Sequence, residues 1–346
     1  MSDKKFRPRI TEDELNILNE YRGDKENHDA LIAECEANGI PADDVKYYWW
    51  KGKHFSINVA NNKTDIKDVV NSILEDIKKY SPQYKSMSYQ ESNDGHLLVV
   101  DPADIHIGKL CKAFETGDEY NHDIAVNRVI EGVNGLIQKA NGFQIDQILF
   151  VMGNDILHVD NPKNTTTAGT HQDMSVMWYD AFKIAQKLLV NCIERLIEVA
   201  PVHVQYDPSN HDYTNGFFLA QAIEAWFSKA ENITFNTSIS HRKYYRYHNN
   251  LIATSHGDGA KEQDLPLLMA HESEDWNACK HRYFYIHHIH HKKSKDYMSV
   301  TVEALRSPSG TDSWHHKNGY QHAPKAVEGF IHNKNHGQVA RLTHIF

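Results

Sequence analysis

From residue 97 onward, short apolar runs alternate with longer stretches of helical periodicity. LLVV at 97–100 and DQILFVM at 146–152 are continuous apolar runs, as strands show when both faces are covered. VHVQY at 202–206, LIATS at 251–255 and RYFYI at 282–286 read as further strands. Between them, HDIAVNRVIEGVNGLIQKA has the spacing of an amphipathic helix. A longer helix, MSVMWYDAFKIAQKLLVNCIERLIEVA, places Met177, Phe182, Ile184, Leu188, Cys192 and Leu196 at core spacing and is stopped by Pro201. This alternation predicts an α/β domain built on a layered sheet, with its chemistry in the loops after the carboxyl ends of strands. Tyr244 to Tyr247 read as an ordinary strand, or alternatively as a stacking surface for nucleic acid.

Residues 1–92 have a different pattern. Thr11 followed by Glu14 forms a capping box that opens a helix, ITEDELNILNEY. A second helix is expected from about His28 to Asn38, ended by Gly39 and Pro41. The aromatic stretch KYYWWKGKHFSINV is β-prone, DIKDVVNSILEDIKKY reads as a helix ending at Pro82, and residues 83–96 are polar, as in a linker. The expected division is therefore a small α+β module over 1–92, winged-helix-like in its element order, and a larger domain over 93–346. The module reads either as a packing or oligomerisation appendage or as a DNA-docking unit; the basic aromatic KYYWWKGK argues for the second.

Composition narrows the classes. With 346 residues, 40% hydrophobic and 24% charged, the chain has the balance of an ordinary globular protein. No apolar run approaches the length that crosses a bilayer, and MSDKKFRPRI lacks the apolar segment of a secretory signal, so a cytoplasmic location is expected. Cys35, Cys111, Cys192 and Cys279 form no CxxC pair, which argues against a thiolate metal site and against a disulfide framework. The net charge of −9 removes any general attraction to nucleic acid, so such binding needs local basic patches or bound metal. The 24 histidines are the outlier.

Their positions carry the argument. DPADIHIGK after the first strand offers Asp104 and His106. GNDILHVDN after the second offers Asp155, and DPSNHDY after the third offers Asn210, His211 and Asp212. HGDG after LIATS offers His256, and HHIHH after RYFYI offers His288 and His290. A shared sheet edge gathers these ends. Two cations roughly 3.5–4 Å apart need one anionic bridging ligand and neutral ligands around it. Carboxylate with imidazole suits manganese, iron, zinc or cobalt. Taken singly, Asp104 or Asp155 reads as a helix cap or turn former, and HHIHH as a surface histidine cluster. Asp101 competes with Asp104 but lacks a histidine two residues on. If HHIHH is extended, His287 and His291 point away from His288 and His290.

In this order the five segments resemble the motif series of the calcineurin-like metallophosphoesterase superfamily, DxH, GDxx[DH], GNH[DE], a lone His and GHxH. They read Asp104-Ile-His106, Gly153-Asn154-Asp155-Ile-Leu-His158, Ser209-Asn210-His211-Asp212, His256 and His287-His288-Ile-His290, across roughly residues 96–292. Asn154 intervenes between the glycine and the aspartate, and Ser209 and His287 replace glycines, which puts the local backbone in question. The resemblance implies a β-sandwich flanked by helices over 93–346. It implies a first metal on Asp104, His106 and His290, and a second on Asn210, His256 and His288, with Asp155 bridging. His211 is then the non-ligand histidine that assists the leaving oxygen, and Asp212 orients it. His158 is similar to a histidine of the repair-nuclease branch that sits near the scissile phosphate, and it reads equally as a packed core histidine. The stretches DNPKNTTTAGTHQD and GTDSWHH resemble a group of phage-encoded phosphoesterases called DNA repair exonucleases.

The activity implied by this resemblance is that of a phosphodiesterase with two divalent ions, manganese first and iron, zinc, cobalt or nickel as alternatives, and a metal-bridging hydroxide as nucleophile. DNA is the expected substrate, cut as an exo- or endonuclease. A nucleotide, cyclic-nucleotide or phosphoprotein phosphoesterase is the rival enzyme reading, and an inactive metal-stabilised DNA-binding protein is the rival outside enzymes. Lys292 and Lys293, with Lys295, are the candidate phosphate contacts. Asp312, Trp314, His315 and His316 are candidates to border the cleft. A homodimer is compatible with this reading, and a partner ATPase is compatible but not indicated; no membrane partner is expected.

Overall fold

The structure is a computed structural model that describes residues 32–37, 47–51, 56–60, 66–89 and 94–346. The chain divides into two compact units, residues 1–72 and 73–346. In the first, residues 32–37 are helical. β1 (Tyr47–Lys51) and β2 (Ser56–Ala60) form an antiparallel hairpin over the β-prone aromatic stretch, two strands where its element order suggested one. The helix expected from Thr11 lies outside the described residues. α1 (Ile66–Tyr80) begins in this unit, and the expected linker follows it. Residues 81–89 carry no helix or strand, yet Tyr84 and Tyr89 tie them to the body of the larger unit: Tyr84 donates to Glu194 Oε1 at 2.9 Å and Tyr89 to the Ile197 carbonyl at 2.6 Å.

The larger unit holds two sheets. The six-stranded sheet is built from β3 (His96–Asp101), β4 (Ile145–Gly153), β5 (Val202–Asp207), β6 (Ile233–Asn236), β12 (Ala326–Asn333) and β13 (Gly337–Ile345). Its order is β13-β12-β3-β4-β5-β6, with β3 to β6 parallel. The five-stranded sheet runs β10-β11-β9-β8-β7. It is made of β7 (Lys243–Tyr247), β8 (Asn250–Ser255), β9 (His281–Ile286), β10 (Lys293–Tyr297) and β11 (Val300–Ala304), and β8, β9 and β11 are parallel.

The apolar runs are buried on both faces because each face meets a different layer. Leu98, Val100, Ile148, Phe150 and Met152 face α2 (His122–Lys139), α3 (Trp178–Ile197) and α4 (Tyr213–Trp226). Leu97, Val99, Leu149 and Val151 face the second sheet, where Tyr285 stacks on Phe330 at 3.9 Å. Each fully buried side chain of this kind contributes about 1.5–3 kcal/mol. The result is the expected sandwich flanked by helices. One position departs from expectation: α3 begins at Trp178, and Met177 precedes it with extended backbone and a side chain 56% exposed. Helical periodicity governs only residues inside the helix, and the buried stripe is instead Ala181, Ala185, Leu188, Leu189, Cys192 and Leu196.

Candidate metal centre

β3, β4 and β5 are adjacent parallel strands, and so are β8 and β9 in the facing sheet. Their carboxyl ends therefore open on one edge of the sandwich, and the five loops that carry the candidate donors meet there. Three candidate donor groups form among the described residues: Asp104 with His106 and His290, Asp155 with His256 and His288, and His106 with His158 and His211. In the first, His106 Nε2 lies 3.3 Å from His290 Nε2, which lies 3.5 Å from Asp104 Oδ1. In the second, His256 Nε2 lies 2.8 Å from Asn210 Oδ1, 3.2 Å from Asp155 Oδ2 and 3.2 Å from His288 Nδ1. Asp155 stands between these two groups, with Oδ2 also 4.0 Å from His106 Nε2.

The backbone bends sharply to aim these side chains. Asp104, His106, Asn154, Asp155, His288 and His290 all take left-handed φ between 52° and 69°. Asp, Asn and His tolerate that region better than most residues. HHIHH is thus a tight loop, not the extended segment that the alternating-side argument assumed. Gly153, with φ of 109°, brings the strand end so close to β5 that a Cβ would lie 2.2 Å from the Asp207 carbonyl oxygen.

Both glycine replacements acquire partners. His287 is buried and its Nε2 lies 2.9 Å from Asp101 Oδ2, while Nδ1 meets the Ser255 carbonyl at 3.0 Å. Burial alone would push this imidazole down, but the Asp101 carboxylate outweighs it and holds His287 above the ordinary histidine value. Asp101 is therefore His287's partner, and Asp104 is left to the site. Ser209 Oγ donates to Asp212 Oδ1 at 2.7 Å and accepts from Asp155 N at 2.7 Å. Asp212 does not orient His211, contrary to expectation: its carboxylate also takes Leu157 N at 2.8 Å, so it braces the Asp155 loop. Burial and the nearby Asp155 charge push its carboxyl up to about 7. Ser209→Ala removes both hydrogen bonds and leaves a buried N–H and carboxylate oxygen unpaired, so it should destabilise the fold by about 1–3 kcal/mol. Denaturant unfolding measures this, and an unchanged midpoint would refute the bracing role.

The catalytic candidates lie beside the first group. His211 N donates to Asp155 Oδ1 at 2.9 Å, and its Nδ1 faces the His158 carbonyl at 3.0 Å. A carbonyl only accepts, so Nδ1 carries the proton and Nε2 is left for a substrate. His158 itself is 3% exposed, with Nδ1 3.2 Å from His106 Nδ1 and its ring stacked on His211. Its ring packs against those of both His106 and His211.

The residues fit metal. Donor atoms about 2.1 Å from one ion stand about 3–3.5 Å apart, close to the 3.3 and 3.5 Å of the first group and the 3.2 Å contacts of the second. Asp104 Oδ1 and His256 Nδ1 are buried without a hydrogen bond. Burial pushes His106, His288 and His290 below the ordinary histidine value, leaving lone pairs to donate. Against burial, neighbouring histidines hold Asp104 and Asp155 below the usual carboxylate range. The Asp155 carboxylate, again against burial, holds His256 up to about 9, so a cation competes there with a proton.

No protein-family model matches the chain, and no curated protein matches it. Among solved structures it is similar to an archaeal phosphodiesterase at 9% identity and TM-score 0.34, over 72% of this chain and 99% of that one. It is also similar to Vps29 of Chaetomium thermophilum at 9% identity and TM-score 0.32, over 72% of this chain and 96% of that one. A third is a conserved protein of Streptococcus pneumoniae described as a predicted phosphoesterase, at 11% identity and TM-score 0.28, over 75% and 99%.

Other expected residues fall around the rim. Lys292 is exposed, while Lys293 pairs with Glu262 at 2.5 Å and Lys295 lies over the Tyr297 ring. Asp312 meets Lys109 Nζ at 2.8 Å, and the His315 ring stacks on His290 at 5.2 Å. Sequence reasoning missed Asp160, whose Oδ1 caps α4 by accepting from Thr214 N and Asn215 N. Its helix starts more than fifty residues away, and no local signal links them. Among the described residues, no helix is long and apolar enough to cross a membrane.

Proposed function

We propose that this protein is a two-metal phosphodiesterase and that its substrate is DNA. The observation that carries the enzyme reading is the convergence of two donor groups on one shared carboxylate, Asp155, with the non-ligand His211 held against it. Asp104, His106 and His290 would hold one cation and Asn210, His256 and His288 the other. Two ions held there would activate water at neutral pH and offset charge on the phosphoryl oxygens. The chain's own part is to fix the donors and to present His211 Nε2 to the leaving oxygen. A purely structural metal site has no use for a histidine so placed.

Hydrolysis of bis-p-nitrophenyl phosphate should vanish in EDTA and return with manganese. Full activity in excess chelator after dialysis would overturn the metal reading. DNA is supported by the motif resemblance around His158. With manganese, DNA oligonucleotides should be degraded, single-stranded regions and ends before duplex interior. A second reading has its own observation. A cavity of about 270 Å³ beside Asn210, lined in part by Tyr213, His241 and Asp258, has room for a small organic group. Brisk hydrolysis of mononucleotides or cyclic nucleotides, with no cleavage of DNA, would decide for that alternative.

A further inference from the structure

Beyond the donor groups, the segment after β11 builds a surface that the phosphoester chemistry does not use. Asp312 caps the short helix α5 (Ser313–Lys317) by accepting from His315 N at 2.8 Å. The chain closes after it through Tyr320 N to the His315 carbonyl at 2.9 Å, with Gly319 at a φ of 76°. A side chain there would be strained, so the glycine permits the tight return. Asp312 is tied down by Lys109, which is 1% exposed and belongs to the same loop as Asp104 and His106. A buried lysine whose charge is met in this way holds the segment against the donor loop.

The result is a chain of rings leading away from a ligand. His315 stacks on His290 at 5.2 Å and 17°. Trp314 meets His315 edge-on at 5.1 Å, and Tyr320 lies 5.7 Å from Trp314. Trp314 is 61% exposed and Tyr320 64%. Large aromatic side chains left open beside a polar site expose apolar area to water, and they gain most by covering a flat π-face. Every nucleobase has such a face, and stacking on an aromatic side chain is indifferent to base identity.

We propose that Trp314, with Tyr320 beside it, is a stacking platform for a nucleobase of the substrate, next to the phosphate held at His290. The proposal rests on the phosphodiesterase reading and requires that the ester cut there carry a nucleobase. The platform serves a nucleotide and a DNA strand alike, because the chemistry recognised is the base.

The test compares a short thymidine oligonucleotide with an abasic oligonucleotide of the same backbone. Binding is read by fluorescence anisotropy in EDTA, where turnover stops, and cleavage is read as kcat/KM in manganese. The unsubstituted protein should favour the base-bearing strand by about 10-fold, within the range that one stacked base contributes. Trp314→Ala should bring that ratio close to one, Trp314→Phe should keep most of it, and Tyr320→Ala should lower it in part. Unchanged thermal melting would show that the exposed Trp314 is not a folding residue. No preference in the unsubstituted protein, a preference that survives Trp314→Ala, or an equal fall on both strands would overturn the platform. Failure to hydrolyse any ester in manganese would instead overturn the metal reading, while the binding ratio in EDTA still decides the platform. Competition by thymidine monophosphate as strong as that by the oligonucleotide would identify a mononucleotide as the source of the base; weaker competition would identify DNA.

Discussion

Asp155→Ala should strip both metals together and lower phosphodiester hydrolysis by roughly 10³-fold or more, the several kcal/mol that two-metal charge stabilisation supplies. The reason is positional. Asp155 Oδ2 lies 3.2 Å from His256 Nε2 and 4.0 Å from His106 Nε2, so one carboxylate faces both donor groups. Its other oxygen accepts from His211 N, so both oxygens of Asp155 are engaged in the site. Asp104 lies 3.5 Å from His290 Nε2 and 4.0 Å from His256 Nδ1, and takes His288 N on its other oxygen. Elemental analysis after dialysis gives the metal count, and circular dichroism checks the fold. Two equivalents retained by a folded variant would show that the groups do not share Asp155.

His211→Ala should do the opposite, keeping two metals and the fold while turnover falls by ~10²–10⁴-fold, as for a lost general acid. Its Nδ1 is held by the His158 carbonyl, and its ring lies 4.6 Å from that of His106 without joining either group around Asp155. A competing arrangement is also present. His106, His158 and His211 offer nitrogens close enough to hold an ion among themselves. The two readings separate cleanly, since loss of a metal equivalent in His211→Ala would make His211 a ligand and shift the motif alignment. Retention of metal with full turnover would remove it from the chemistry altogether.

Much of the centre was legible because it depends on local pattern. The strands at 97–100, 146–152, 202–206, 251–255 and 282–286 all form, since a short apolar run bounded by polar residues has few other ways to be buried. The residues after them are brought to one edge because parallel strands all end on the same side. Which chemical groups stand at the strand ends is thus a sequence property. What those side chains touch is not. His287 meets Asp101 across 186 positions, and no spacing rule connects them. Asp212 looked like the partner of its neighbour His211, yet the turn into α4 aims it at Ser209 and Leu157 instead. Met177 matched a helical stripe, but the helix starts one residue later. Trp314 reaches His290 through the His315 ring, in a segment that Asp312 ties to the buried Lys109. The amino-acid order by itself determined which segments are strands and helices and which chemical groups stand at the strand ends, because burial periodicity and turn chemistry act over a few residues. Only the tertiary structure decided which of those groups pair, brace or face the open edge, because hydrogen bonds and ring contacts depend on sub-ångström placement set by the register of distant strands.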